Sequence, residues 1–423
     1  MAKERRDKKN RILRQGEYQK NDGRYMYRYT DAKGDVRFVY SWTLTQSDRP
    51  PQGKHSDKCL RELEKDIAKD IQDGIDAQAA KKLTLNAFWD DYISQKQELK
   101  PSTRVNYRYM FDHYVRDDFG KRVLSDIRYS DVKKFYNSFI TEKDFSPNSM
   151  EIIHTILHPV FKIAVRDGYI RQNPTDGVMT EIKKSHNWEK AKRHALTESQ
   201  QSAFLDYIRT HKVYCHWLPL ITVLIGTGCR VGEVVGLRWE DCDFQNNVIE
   251  INHNLIYRPS EATGKCCYQI TTPKTKAGIR EVPMFADVRR TLVEERVRQM
   301  RDGFNQEVID GYSGFIFSNR NGNVMNGHNI NRALVRIIRD HNAEETELAK
   351  KEQREPELLP HFSVHNLRHT FCTRMCENES NIKIIQEIMG HADISTTMDI
   401  YNEATREQKK QSFANLEGKI KIC

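Results

Sequence analysis

Long apolar runs are missing from this chain of 423 residues. The longest, Trp217 to Cys229, is broken by Pro219, Gly226 and Gly228 and falls short of the roughly 20 residues that a membrane span needs. The N-terminus, MAKERRDKKNR, lacks the apolar stretch of a secretory signal. These two absences predict a soluble cytoplasmic protein with no membrane partner. Any CxxC pair is missing as well. The nine cysteines are odd in number and follow no repeating spacing, so reduced thiols are expected rather than a disulfide framework. Cys372, Cys376 and the nearby His369 come closest to a zinc site, but the paired spacings of structural zinc are not there. His365 and His369 form an HxxxH in which Asn366 stands where a zinc hydrolase carries its glutamate base. No metal and no cofactor are expected. Internal repeats and low-complexity tracts are absent too. Apolar residues are scarce, at 38%, which suits several modest domains better than one large core. The length fits about three domains.

Positive charge is abundant but uneven. Residues 1–58 hold 15 Lys/Arg against 8 Asp/Glu, so most of the net +9 lies in the first seventh of the chain. A local basic excess is the footprint of a phosphate-binding surface. Residues 1–11 read as a solvated tail. Beyond them, Arg24–Thr30 alternates, with Tyr25, Tyr27 and Tyr29 on one side and Arg24, Met26 and Arg28 on the other. Val36, Phe38, Tyr40 and Trp42 alternate again around Arg37, and Asn21-Asp22-Gly23 and Asp31–Gly34 supply turns. Leu60, Leu63, Ile67 and Ile71 then mark one helix face. The expectation is a three-stranded sheet with a helix on its aromatic face. The other face would be basic, with Arg24, Arg28 and Arg37 available to a DNA groove.

Residues 82–178 read as all-helical. Thr84 precedes one amphipathic run, Ser102 or Thr103 caps a second, and Ser130 opens a third. Ser146-Pro147 starts a fourth helix that Gly168 closes, and Pro159 predicts a kink inside it. Lys100, Arg104 and Arg108 line one side as candidate DNA contacts. Residues 179–195 read as a basic linker. Thr197 with Gln200 is a capping box that opens the last domain, 196–405, with a tail at 406–423. That domain is expected to be mainly helical, with a small sheet from Val248–Ile256, Tyr268–Thr272 and Ile279–Pro283. Residues 341–360, rich in charge, read as an inserted loop or short helix.

Four patterns in this last domain carry chemistry. TGCRVGE (227–233) sets Arg230 after a glycine turn with Glu233 one helical turn on; PKTKAGIREVP (273–283) places Lys274 and Lys276 at a tight turn. HNLRHT (365–370) puts His365 and Arg368 on one helix face, and GHADISTTMDIY (390–401) sets His391 ten residues before Tyr401. Each pattern by itself fits an ordinary ion pair, cap or half-buried aromatic.

In this order, the four patterns resemble the tyrosine recombinase (phage integrase) family, over the whole of 196–405. The first 81 residues resemble the arm-binding domain of integrases from conjugative transposons, and 82–178 the helical core-binding domain. Two features depart from the family's pattern: Cys229 stands where Leu or Met is more usual, and the 341–360 stretch is long. The resemblance implies a site-specific recombinase of a mobile element that needs no metal or cofactor. Tyr401 would be the nucleophile, forming a 3′-phosphotyrosyl link. Arg230, Arg368, His365 and His391 would stabilise the phosphate, Lys274 would protonate the leaving 5′ oxygen, and Glu233 would position its neighbours. Planar guanidinium forks match non-bridging oxygens and stay charged at any working pH. Implied partners are double-stranded DNA at core and distal arm sites, three further copies of the chain around a Holliday junction, and an excisionase-type accessory protein. The implied setting is the bacterial nucleoid. A type IB topoisomerase shares the constellation, and a catalytically silent DNA-binding regulator is the alternative of a different class.

Overall fold

The computed structural model describes residues 5–31, 34–142, 145–185, 194–260, 263–273 and 275–402. The chain divides into two compact units, 1–190 and 191–423.

The first unit opens with an antiparallel sheet of β1 (Glu17–Gln19), β2 (Tyr25–Thr30) and β3 (Val36–Ser41), in that order, followed by helix α1 (Leu60–Gln72). Pairing of Tyr25 with Ser41 and Thr30 with Val36 fixes the register. It also corrects the expected faces. Tyr27 opposes Val39 and Tyr29 opposes Arg37, whereas Met26 opposes Tyr40 and Arg28 opposes Phe38. Residues directly opposite share a face, so the turn between β2 and β3 decides which set points outward. The outward face is therefore mixed, with Arg28 beside exposed Val36, Phe38 and Tyr40. Arg24 joins it, its guanidinium lying over the rings of Tyr40 and Trp42. Arg37 falls on the other face, where Asp31 and Asp35 hold it at 2.9 and 3.1 Å. The inward side packs Leu13, Tyr25, Leu44 and Leu60.

The helical part comprises α2 (Ala77–Ala80), α3 (Leu85–Gln95), α4 (Pro101–Tyr114), α5 (Tyr129–Thr141), α6 (Pro147–Arg166) and α7 (Val178–Ser185). Thr84 and Ser146 cap α3 and α6 as expected, accepting from the backbone N–H groups of Ala87 and Ser149. Helix α6 continues through Pro159. Helix α4 starts earlier than Ser102, at Pro101 behind Lys100, because proline is preset for the first helical position. Trp89 stacks on Phe111, with centroids 4.4 Å apart, and both are buried. Burying each such ring contributes about 2–3 kcal/mol. The expected linker at 179–195 begins as helix: Met179 and Ile182 of α7 are buried in this core. The sheet-and-helix part and the helical part are tied where α1 ends. Asp76 donates its N–H to Gly168 O at 2.8 Å, and Arg171 grips Asp70 and Asp73.

The second unit carries α8 (Glu198–Thr210), α9 (Leu218–Thr227), α10 (Val231–Val235), β4 (Cys242–Asp243), β5 (Val248–Ile251), β6 (Asn254–Pro259), β7 (Cys266–Thr271), β8 (Arg280–Pro283), α11 (Ala286–Asp302), α12 (Gly327–Glu352), α13 (Val364–Asn378) and α14 (Ile382–Met389). Two small sheets form, β4-β5-β8 and β6-β7. The strand expected at Val248–Ile256 is thus two strands, parted at Asn252-His253, where the His253 ring turns inward to Gly236 O at 2.7 Å. The expected insertion at 341–360 is mostly the C-terminal half of α12, with Ala349 buried and His341 packed edge-on against Tyr207. Its charged outer side hid a helical stripe that continues Ile330, Leu334, Ile337 and Ile338. Among the described residues, no helix is long and apolar enough to cross a membrane.

Candidate active site

The C-terminal end of α14 organises the site. Helices end with unpaired carbonyls, and here Gly390 takes a φ of 62° while its N–H caps Gln386 and Glu387. The next three carbonyls each receive an arginine from elsewhere in the unit. Arg280 Nε donates to Ile388 O at 2.6 Å, Arg368 Nη2 to Met389 O at 2.6 Å and Arg230 Nη2 to Gly390 O at 3.1 Å. The negative end of a helix dipole favours this gathering of cations.

Each arginine is positioned by local sequence. Arg230 precedes α10 after a left-handed Gly228, and its own backbone N–H donates to Glu233 Oε2 at 2.8 Å. Its guanidinium donates to Glu233 Oε1, also at 2.8 Å, and its side chain remains 41% exposed. Arg368 is buried on α13, with Nη1 on Gly228 O at 2.8 Å. Burial, with Arg230 next in effect, pushes its pKa down to about 10, so it remains a cation at neutral pH. Burial opposes ionisation of Glu233, yet Arg280 and Arg230 hold its carboxyl below the ordinary range.

His391 follows the same turn. Its N–H donates to Gln386 O at 3.1 Å, Gln386 Nε2 donates back to His391 O at 3.0 Å, and its Nδ1 meets Thr397 Oγ1 at 3.0 Å. Burial, then the charges of Arg368, Arg230, Arg280 and His365, push its pKa down to about 4, so the ring is neutral at neutral pH. His365 sits three residues before Arg368, on the exposed side of α13. Tyr401 lies in a helical segment at 394–402, half-buried against the cluster of Phe371, Cys372, Ile385 and Met389. Lys274 lies outside the described residues. Lys276 is exposed in the short turn Lys276–Gly278, which runs against the His391 segment: Ala277 O would lie 3.0 Å from a Cβ placed on Gly390.

Arg230, Glu233, Arg368, His391 and Tyr401 are thus gathered around α13 and the end of α14. Arg280 is the residue that the motif reading missed. Its side chain is 6% exposed and its Nη2 reaches Glu233 Oε2 at 2.9 Å. The missed signal is strand parity: Arg280 shares the inward parity of Val282 on β8, an unusual place for a cation. In the first unit, Lys100 and Arg108 are exposed on or beside α4, while half-buried Arg104 donates to Lys96 O at 2.9 Å and so caps α3.

The phage integrase family matches residues 194–408, the DNA-binding domain of Tn916 integrase residues 1–71, and the N-terminal SAM-like domain of phage integrases residues 84–140. The transposase from transposon Tn1545 of Streptococcus agalactiae is 36% identical over 406 residues, covering 96% of this chain and 95% of that one. The transposase from transposon Tn916 of Enterococcus faecalis is 35% identical over the same length, with the same coverage. The Tn1549 transposon integrase in complex with a circular intermediate DNA superposes with a TM-score of 0.66 at 28% identity, covering 78% of this chain and 99% of that one. These matches cover both units and agree with the constellation around α14: the chain belongs to the phage integrase family, the tyrosine-type site-specific recombinases.

Proposed function

We propose that this chain is the integrase of a mobile element, cutting and rejoining DNA strands through Tyr401. The observation that carries this reading is the convergence of three guanidiniums, a neutral His391 and Tyr401 at one helix end. The Tyr401 oxygen attacks the scissile phosphorus, the 5′ oxygen leaves, and the DNA is held as a 3′-phosphotyrosyl ester. The 5′ hydroxyl of a partner strand then reverses the step, so bond energy is kept and no nucleotide is consumed. Free tyrosine has a pKa near 10, so the attacking oxygen needs a cationic pocket and a base; His365, exposed beside Arg368, is suited to take its proton. Arg230, Arg368 and a neutral His391 donating from Nε2 stabilise the charge of the pentavalent transition state. Lys274 protonates the leaving 5′ oxygen, and Glu233 positions Arg230.

The mixed basic and aromatic outer face of the β1–β3 sheet, with Arg24 and Arg28, supports binding to a second, distal DNA site, and Lys100 and Arg108 support core-site contact. Linking two binding modules raises effective concentration without new contacts. Exchange between two duplexes requires four active chains, so a homotetramer on a Holliday junction follows, with an excisionase-type partner biasing its direction. The relatives named for conjugative transposons support that biological setting.

The test is a suicide DNA substrate that traps cleaved product. A covalent protein–DNA adduct is expected with the intact chain and not with Tyr401→Phe, while DNA affinity stays nearly equal. An adduct that persists in Tyr401→Phe would reject the nucleophile. Deleting residues 1–81 is expected to abolish distal-site binding and spare core cleavage, because the ties it breaks are one backbone hydrogen bond to Gly168 and the half-exposed ion pairs of Arg171, each of small energy.

A further inference from the structure

Glu233 poses an electrostatic problem for the site. Its carboxylate is 4% exposed and one of its oxygens accepts directly from the guanidinium of Arg230. A buried carboxylate with a single cationic partner would draw that cation fully onto itself, because an unpaired buried charge is costly. Arg230 would then be neutralised at the moment when a phosphate needs it. A second cation is present: Arg280 donates from Nη2 to Glu233 Oε2 at 2.9 Å and from Nη1 to Oε1 at 3.3 Å.

Arg280 is placed for this and little else. Its Nε is held by Ile388 O at 2.6 Å, and Nη1 also reaches Gly278 O at 3.2 Å. The Cys229 thiol lies 3.6 Å from Nη2, a soft neutral neighbour that does not compete with Glu233 for the guanidinium charge. Burial pushes that thiol's pKa up, so it supplies no competing anion. With a side chain only 6% exposed, Arg280 is shielded from a bound duplex, whereas Arg230 is 41% exposed and faces outward.

We infer that Arg280 is a positioning residue of the recombination reaction: it satisfies Glu233 so that Arg230 stays charged, oriented and available to the scissile phosphate. Its place at the start of β8, directly after the turn that carries Lys276, also pins that turn to the end of α14. This role rests on the strand-transfer reading above. Arg280 touches no substrate atom and acts through Glu233 and Arg230.

The experiment is a double-mutant cycle read as single-turnover cleavage of the suicide substrate, with DNA affinity and thermal melting measured alongside. Arg280→Gln keeps a polar side chain and removes the charge. It is expected to slow cleavage by about 10–100-fold, the range for partners that orient a reacting group, with DNA affinity nearly unchanged. Adding Glu233→Gln removes the excess negative charge and is expected to recover most of that loss, a coupling that an independent structural role would not produce. Arg280→Lys keeps the charge but loses the fork that reaches Glu233 and Ile388 O together, so it is expected to cleave faster than Arg280→Gln and slower than wild type. If Arg280→Gln melts before assay, a folded Arg280→Lys that cleaves as slowly as a Tyr401 variant overturns the role. Additive defects in the double variant, or an Arg280→Gln chain that cleaves at the wild-type rate, also overturn it. Absence of an adduct in the wild type, by contrast, overturns the strand-transfer reading itself and the role with it.

Discussion

The phenyl ring of Phe371 occupies the space that a side chain at Gly228 would need: an ideal Cβ there would lie 2.2 Å from Phe371 Cδ1. Gly228 also has a φ of 61°, which glycine adopts without strain. Both constraints serve the site, since this turn ends α9, launches Arg230 and offers the carbonyl that Arg368 holds. Gly228→Ala is expected to destabilise the second unit by about 3 kcal/mol, combining left-handed strain with overpacking. Gly322→Ala, also at positive φ but with nothing within 4 Å, is the control and should cost only about 1–2 kcal/mol. Calorimetric unfolding of the two variants measures the difference, and equal losses would remove Phe371 from the explanation.

His391 gives a pH dependence of known sign. Its pKa falls from 6.5 to about 4 in the folded chain, by burial first and neighbouring cations second. Between those values the unfolded chain binds the extra proton, so this contribution to stability is complete above 6.5 and is lost as pH falls towards 4. His154, half-buried in the first unit and also pushed down to about 4 by desolvation, adds a slope of the same sign there. His391→Asn should flatten the acid side of the second unit's stability curve and leave the first unit's unchanged. Hydrogen exchange at several pH values separates the two units.

The opposite sign is expected from a carboxyl pair under the N-terminal sheet. Glu17 of β1 and Glu64 of α1 are both buried, and Arg61 reaches Glu17 Oε1 at 3.0 Å. Burial, reinforced by the hydrogen bond shared with Glu17, raises the Glu64 carboxyl well above the usual range, while Glu17 is held low by Arg61. The folded chain therefore keeps a proton that the unfolded chain has lost, and stability falls as pH rises beyond the ordinary carboxyl range. Arg14, 3.7 Å from Glu64, moderates the effect. Glu64→Gln should make exchange protection of the β1–β3 amides independent of pH on the alkaline side. Unchanged pH sensitivity in that variant would place its origin elsewhere.

Lys274 and Lys276 can be told apart by replacing the bridging 5′ oxygen of the scissile phosphate with sulfur. A thiolate, whose parent thiol has a pKa near 8.5, leaves without protonation, whereas an alkoxide does not. Lys274→Ala should cleave ordinary DNA about 10²–10⁴-fold more slowly, the usual worth of a general acid, and cleave the sulfur substrate at close to the wild-type rate. Lys276→Ala should affect neither substrate much. Rescue confined to Lys276→Ala would reverse the assignment, and an equal Lys274→Ala defect on both substrates would make it a stabiliser of phosphate charge.

Local signals in the chain were enough for much of this fold. Thr84, Ser146-Pro147 and Thr197 with Gln200 act on the next helical turn alone, so their caps could be read directly. Four motifs marked the residues around α14, because spacing along a helix or turn is local geometry. Only the tertiary structure decided which groups neutralise one another. Strand register put Arg37 opposite Tyr29 rather than on Arg28's face, since pairing depends on a partner strand that composition does not reveal. The same holds for Arg280, whose meaning comes from Ile388 O and Glu233, 108 and 47 residues away. Sequence determines which side chains are charged and which turns can form. Burial and long-range hydrogen bonds determine which of those charges remain available for chemistry, because both depend on distances that exist only in the folded chain.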